Sequence, residues 1–223
     1  MNQYVDSSET VSAMKSIKTA KNAFLLLIFL ALAVQASGFI LLEFTDLMDT
    51  SSTAPAGELS SAAQPPDQPP ATSKEQAQIL REAFGWILPI TKFLGAVCGV
   101  LVVISLMYAG ALSLLAQGRG AKLMISAFCW SLLLLAMVIP WQQVFRGSLA
   151  CGALYNLSEL TTWYDSIHTA QSDMTANILY FARFLGYPGL TLLVWIVVLG
   201  KSAGGYKRLV SPEGVKPQPL STQ

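Results

Sequence analysis

The chain has 223 residues, 53% of them hydrophobic and only 12% charged, with a net charge of +1. A soluble domain carries about 25% charged residues, so a deficit gathered into long uncharged runs excludes an ordinary soluble globule and places the chain in the membrane class. The near-neutral balance, with no basic patch interleaved with aromatics, removes any electrostatic case for nucleic acid.

Residues 1–21 are polar and Ser/Thr-rich and carry Lys15, Lys18 and Lys21. They are expected to be a loose segment outside the bilayer. The first span, 22–43, has Ala23–Leu42 as its apolar core. That stretch also resembles a secretory signal, with "AVQASG" as an A-x-A-like site. About twenty residues precede it, and "FILL" prolongs the apolar run, so it is read as a span. Residues 44–73 contain "TSSTAPAGELSSAAQPPDQPPATS", a composition too poor in apolar residues to offset its chain entropy.

Residues 74–116 read as an outer helix running into the second span, Phe93–Ala116. Ile79, Ala83, Trp86 and Ile90 share one face, and Pro89 is expected to kink the helix or mark its entry. Within the span, Gly95, Gly99, Gly110 and Ser113 lie within about 60° of one another at helical spacing. A stripe of small residues lets helix backbones approach closely, here against the third span or against another subunit. The turn 117–122 is short, so the third span, Leu123–Trp141 (123–141), returns antiparallel.

Residues 142–174 form the most aromatic polar-side segment. Leu157, Leu160, Trp163, Tyr164 and Ile167 recur at three- and four-residue steps, the pattern of an amphipathic helix lying on the membrane or capping the bundle. Trp86, Trp141, Trp163 and Tyr164 are the aromatics expected at headgroup level. The fourth span, 175–203, carries Arg183 and then Gly-Tyr-Pro-Gly at 186–189. If it began after Pro188, the twelve residues to Gly200 would reach only about 18 Å. It must therefore start near Leu179, with the Gly-Pro-Gly section as a bend inside it. Residues 204–223 form a second loose tail.

Lysine and arginine set the orientation. Lys15, Lys18, Lys21, Arg119, Lys122, Lys201, Lys207, Arg208 and Lys216 fall on one side; Lys74, Arg81, Lys92, Arg146 and Arg183 fall on the other. The richer side is expected in the cytoplasm, with both termini there. Ten of the thirteen acids fall on the outer side, consistent with that sense. A bacterial inner membrane fits the short chain and the lack of a cysteine framework.

Lys92 and Arg183 lie at similar depth. They are candidates for an anion or a lipid headgroup, or for pairing with Glu82, Glu159, Asp165 or Asp173. Gln35, Ser37, Ser105, Ser113, Ser126, Ser131 and Thr191 are expected to hydrogen-bond between helices. Cys98 and Cys129 sit at depths about 10 Å apart by helix rise and are not expected to pair.

A single histidine, His168, cannot supply both axial ligands of a bis-histidine haem, and no zinc set or other cofactor is expected. No nucleophile elbow, phosphate loop, HExxH or catalytic carboxylate pair occurs, so no enzyme is expected. No Asp or Glu lies in the four apolar cores, which argues against a proton- or sodium-coupled carrier. The sequence thus describes an all-α integral membrane protein, a four-transmembrane-helix bundle with an amphipathic outer helix. The expected role is a non-catalytic accessory, scaffolding or assembly subunit. Its partners would be membrane lipids and other membrane subunits or further copies of itself. The alternative is a small channel or permease with Lys92 and Arg183 in a cationic outer vestibule.

Overall fold

The computed structural model describes residues 7–44, 71–115, 120–141, 152–169 and 174–210. Most of the Pro/Ser-rich loop, Arg119, Arg146, Cys151, Asp173 and the tail beyond 210 lie outside the described residues. Every regular element among the described residues is helical: α1 Ser7–Phe44, α2 Ala71–Leu115, α3 Ala121–Val138, α4 Leu157–Thr169, α5 Met174–Phe181, a π-helical turn Ala182–Gly186, and α6 Tyr187–Val210. Four stretches are long and apolar enough to cross a membrane: Ser12–Phe44, Ile79–Leu114, Ala121–Val138 and Met174–Arg208. The chain is an integral membrane protein.

Three boundaries differ from the sequence expectation: α1 begins at Ser7, the third helix stops at Val138, and α6 continues to Val210, so residues 204–210 are helical rather than part of a loose tail. Residues 7–21 are helical rather than loose, because Met14 and Lys21, two turns apart, both face inward and are buried. The third helix ends at Val138, not at Trp141. Proline disfavours the α conformation in the residue before it, and Ile139 ahead of Pro140 is extended (φ −62°, ψ 132°), its N–H returning to Leu135 O. Gly120 starts that helix in the left-handed region at φ 77°, which only glycine adopts at no steric cost. In the fourth span, a π-helical turn over Ala182–Gly186 precedes the Pro188 section where the sequence predicts a bend. Pro188 has no N–H to give the Phe184 carbonyl one α-turn earlier, and the ladder widens just ahead of it, with the Tyr187 N–H reaching back five residues to Ala182 O.

The described residues fall into two compact units. Of these residues the first draws on 7–29, 95–115, 120–139 and 189–210, the second on 30–44, 71–94, 140–141, 152–169 and 174–188. In the first unit, Met14, Ala109, Met124 and Tyr206 make a small core with one residue from each of α1, α2, α3 and α6. Close backbone approach holds it. A Cβ on Gly99 would stand 3.0 Å from Leu135 Cδ1, and one on Gly205 would stand 3.0 Å from Met124 Sδ and Cε. Trp195 Nε1 donates to Leu25 O at 2.9 Å, and its ring lies 5.5 Å from that of Phe29.

In the second unit, Phe39 and Leu42 of α1 meet Tyr155, Leu160 and Ile167, Tyr180 of α5 and Phe184 of the π turn in one buried cluster. The five residues of the amphipathic pattern, Leu157, Leu160, Trp163, Tyr164 and Ile167, all belong to this cluster or pack against it. α4 is therefore packed through the face the periodicity selects.

Candidate functional site

The polar side chains of the second unit converge on the start of α4. The segment Gly152–Tyr155 is buried but not helical, so its backbone must find partners outside a regular ladder. Gln35 supplies one of them, its Oε1 accepting from the Tyr155 N–H at 3.4 Å, and its backbone carbonyl also accepts from the Tyr155 side-chain hydroxyl. Burial pushes the Tyr155 phenol well above its ordinary range, against a smaller opposing effect of a backbone hydrogen bond at Phe39. Gln35 Nε2 is buried without a hydrogen-bond partner among the described residues. About two turns further along α1, the Tyr180 hydroxyl donates to Glu43 Oε2 at 3.1 Å.

The two sequence-selected cations reach different residues at the start of α4. Arg183 forms an ion pair with Glu159, in the first turn of that helix, while its guanidinium lies 5.1 Å from the Trp163 ring centroid and 5.5 Å from that of Phe184. Of the four carboxylates that were open to it, Glu159 is therefore the partner. Lys92 is 5% exposed, and its Nζ donates to Asn156 Oδ1 at 3.4 Å. Both cations sit within the second unit, yet each has its own α4 contact.

Beside this layer is an open cleft of about 380 Å³ between α2 and the start of α4. Arg81, Gly85 and Pro89 line one wall, and Asn156, Leu157, Ser158 and Thr161 line the other. Gly85 leaves open space, with no atom within 4 Å of where a Cβ would stand. Sequence reasoning placed Arg81 only as an orientation charge. Its spacing to Gly85, Pro89 and Lys92 was the available signal, since all four fall within about 80° on one face of α2.

The remaining candidates separate by burial. Gly95, Gly99, Gly110 and Ser113 are all buried within the first unit; of the stripe, Gly99 packs on Leu135 of α3, while a Cβ on Gly110 would meet nothing within 4 Å. Of the selected aromatics, Trp86 is 71% exposed, Trp141 is half-buried, and Trp163 and Tyr164 pack on the aromatic cluster. The serines correct the expectation of cross-helix bonding. Ser37, Ser105, Ser113 and Ser131 each donate to a carbonyl three or four residues back in their own helix, as short hydroxyl side chains do when no partner is aligned. Cys98 and Cys129 are both free.

Lys21 was missed. It is 1% exposed, donates to Ser202 Oγ at 2.7 Å, and lies 5.5 Å from the ring centroid of Tyr206, a residue whose hydroxyl is buried without a partner among the described residues. A lysine at a span end normally extends its ammonium to water, so nothing local marked this one as buried.

No protein family matches the chain, and no characterised protein or solved structure is similar to it.

Proposed function

We propose that this protein is a non-catalytic accessory or assembly subunit of a membrane complex. The observation that carries the reading is the closure of Arg183 on Glu159 between aromatic rings. The cation best placed for chemistry or ion traffic in the fourth span is used to fasten α4. Its charge is matched there, which weakens the alternative of a cationic vestibule. Together with the buried aromatic cluster, the pair supports a firm helical platform whose surface, rather than a reactive centre, performs the work. The lysine and arginine distribution supports an orientation with both termini in the cytoplasm, and the short chain without a cysteine framework supports a bacterial inner membrane.

Native mass spectrometry of protein extracted gently from its own membrane tests this. Copurifying subunits at fixed stoichiometry are the expected result. A bare monomer or homo-oligomer in every mild detergent would refute the accessory role. The permease alternative is separated by Lys92→Gln with Arg183→Gln in proteoliposomes: it requires a flux that the double variant loses while remaining folded. Reporter fusions at both termini check the orientation, and signal from the outer side would overturn it.

A further inference from the structure

We propose that the cleft between α2 and the start of α4 binds the phosphate of an anionic, hydroxyl-bearing lipid headgroup such as phosphatidylglycerol. Three observations converge on it. Arg81 lines the cleft, and among the described residues no carboxylate pairs with it. Glu82, its neighbour, lies about 100° away around the helix. Glu159, the nearest acid on α4 in sequence, is committed to Arg183.

Lys92 is the second observation. Its side chain is buried, and its described hydrogen bond is one long contact to Asn156, which itself lines the cleft. A buried ammonium with no carboxylate among the described residues is an uncompensated charge, and such charges are costly unless an anion comes near. Helical side chains lean toward the helix N-terminus, so Lys92 leans along α2 toward Pro89, Gly85 and Arg81. An anion in the cleft would sit between the two cations. The first-turn amides of α4, which have no partner within the helix, would add to the same field; the Asn156 carbonyl accepts the Leu160 N–H at 3.1 Å.

The third observation selects the class of anion. The cleft is not uniformly cationic. Pro89 has no N–H to give the Gly85 carbonyl, which leaves an acceptor on the same wall. A bare phosphate cannot donate to it as well as a glycerol hydroxyl can. Pro89 and Leu157 add an apolar wall, and Arg81 lies near the start of the Ile79–Leu114 span. A lipid presents phosphate, hydroxyl and hydrocarbon together. This site is independent of the accessory role, because either could stand without the other.

The test is native mass spectrometry of the full-length protein in detergent, titrated separately with phosphatidylglycerol, phosphatidylcholine and glycerol phosphate. Phosphatidylglycerol is expected to bind one-to-one in preference to phosphatidylcholine. Arg81→Gln should weaken it about tenfold, the loss of one charge-assisted hydrogen bond. Gly85→Leu should reduce binding to the phosphatidylcholine level by filling the cleft. The open space at Gly85 lets that variant fold, which tryptophan fluorescence verifies. Binding of glycerol phosphate in place of lipid, lost in the same variants, would keep the phosphate-ester site but overturn the lipid as its source. Equal binding of both lipids with no glycerol phosphate bound, or wild-type affinity in both variants, would overturn the site.

Discussion

Removing the Glu159 carboxylate should reveal how much of the second unit rests on one ion pair. The Arg183 and Glu159 side chains are 15% and 20% exposed. Two unit charges in contact at the effective dielectric of a protein surface attract by about 4 kcal/mol before desolvation. Exposed pairs retain about 0–1 kcal/mol of this, and breaking a fully buried pair costs about 3–5 kcal/mol. A mostly buried pair falls between, so Glu159→Gln is expected to cost about 2–3 kcal/mol. Arg183→Met should cost less, about 1–2 kcal/mol: methionine keeps apolar contact with Trp163 and Phe184, and the orphaned Glu159 still benefits from the amino end of α4. The double variant should cost less than the two singles summed, with a coupling of about 2 kcal/mol. Reversible unfolding in mixed micelles titrated with dodecyl sulfate measures this, and Trp163, stacked on the pair, reports it by fluorescence. A coupling below about 0.5 kcal/mol would refute the reasoning, because the pair would then behave as a solvated surface contact.

Other substitutions probe separate contacts by the same titration. Gly99→Val should cost about 1–3 kcal/mol by driving a branched side chain into Leu135, whereas Gly110→Ala, with nothing within 4 Å of its Cβ, should stabilise α2 by up to about 1 kcal/mol. Tyr155→Phe removes a hydroxyl whose acceptor already serves the α1 ladder, at a cost of about 1 kcal/mol. Tyr155 also carries a pH signature. Below pH about 10 both folded and unfolded states keep the phenolic proton; above it only the unfolded chain releases it, so stability falls by about 1.4 kcal/mol per unit. Tyr155→Phe should lack that share of the alkaline slope, and an unchanged slope would show the phenol to be solvated. Lys21→Met should stay within about 1 kcal/mol of wild type, since no carboxylate among the described residues holds the ammonium, while Lys21→Ala should cost about 2 kcal/mol or more through the void it leaves.

Periodicity and apolar length made the spans, the passage of α2 through Pro89 and the packed face of α4 legible, because each depends on neighbours within a few turns. Arg183 was narrowed to four carboxylates by depth alone; the choice of Glu159 required the fold. What stayed hidden depends on distant parts of the chain. Lys21 finds Ser202 181 residues away, and Tyr155 finds Gln35 120 residues away. The serines misled for the opposite reason. Their available partners were in their own helices, and counting polar residues in a span does not reveal that. The cleft at Arg81 escaped notice because its floor is a glycine and a proline, residues that read as punctuation rather than as a surface.

The third helix has a consequence for the bilayer itself. At 18 residues it reaches about 27 Å, slightly less than a typical hydrocarbon core of about 30 Å. The other candidate spans run to 33 residues or more and can tilt or protrude to suit any thickness. α3 cannot lengthen, because a left-handed glycine closes one end and an extended Ile139–Pro140 step closes the other. It therefore acts as a ruler. Where the hydrocarbon is thicker than α3, local thinning or snorkelling of its flanking residues makes up the difference, at a small cost per ångström of mismatch, and that cost rises with acyl-chain length. Of the four candidate spans, α3 is the one whose length the sequence fixes at both ends.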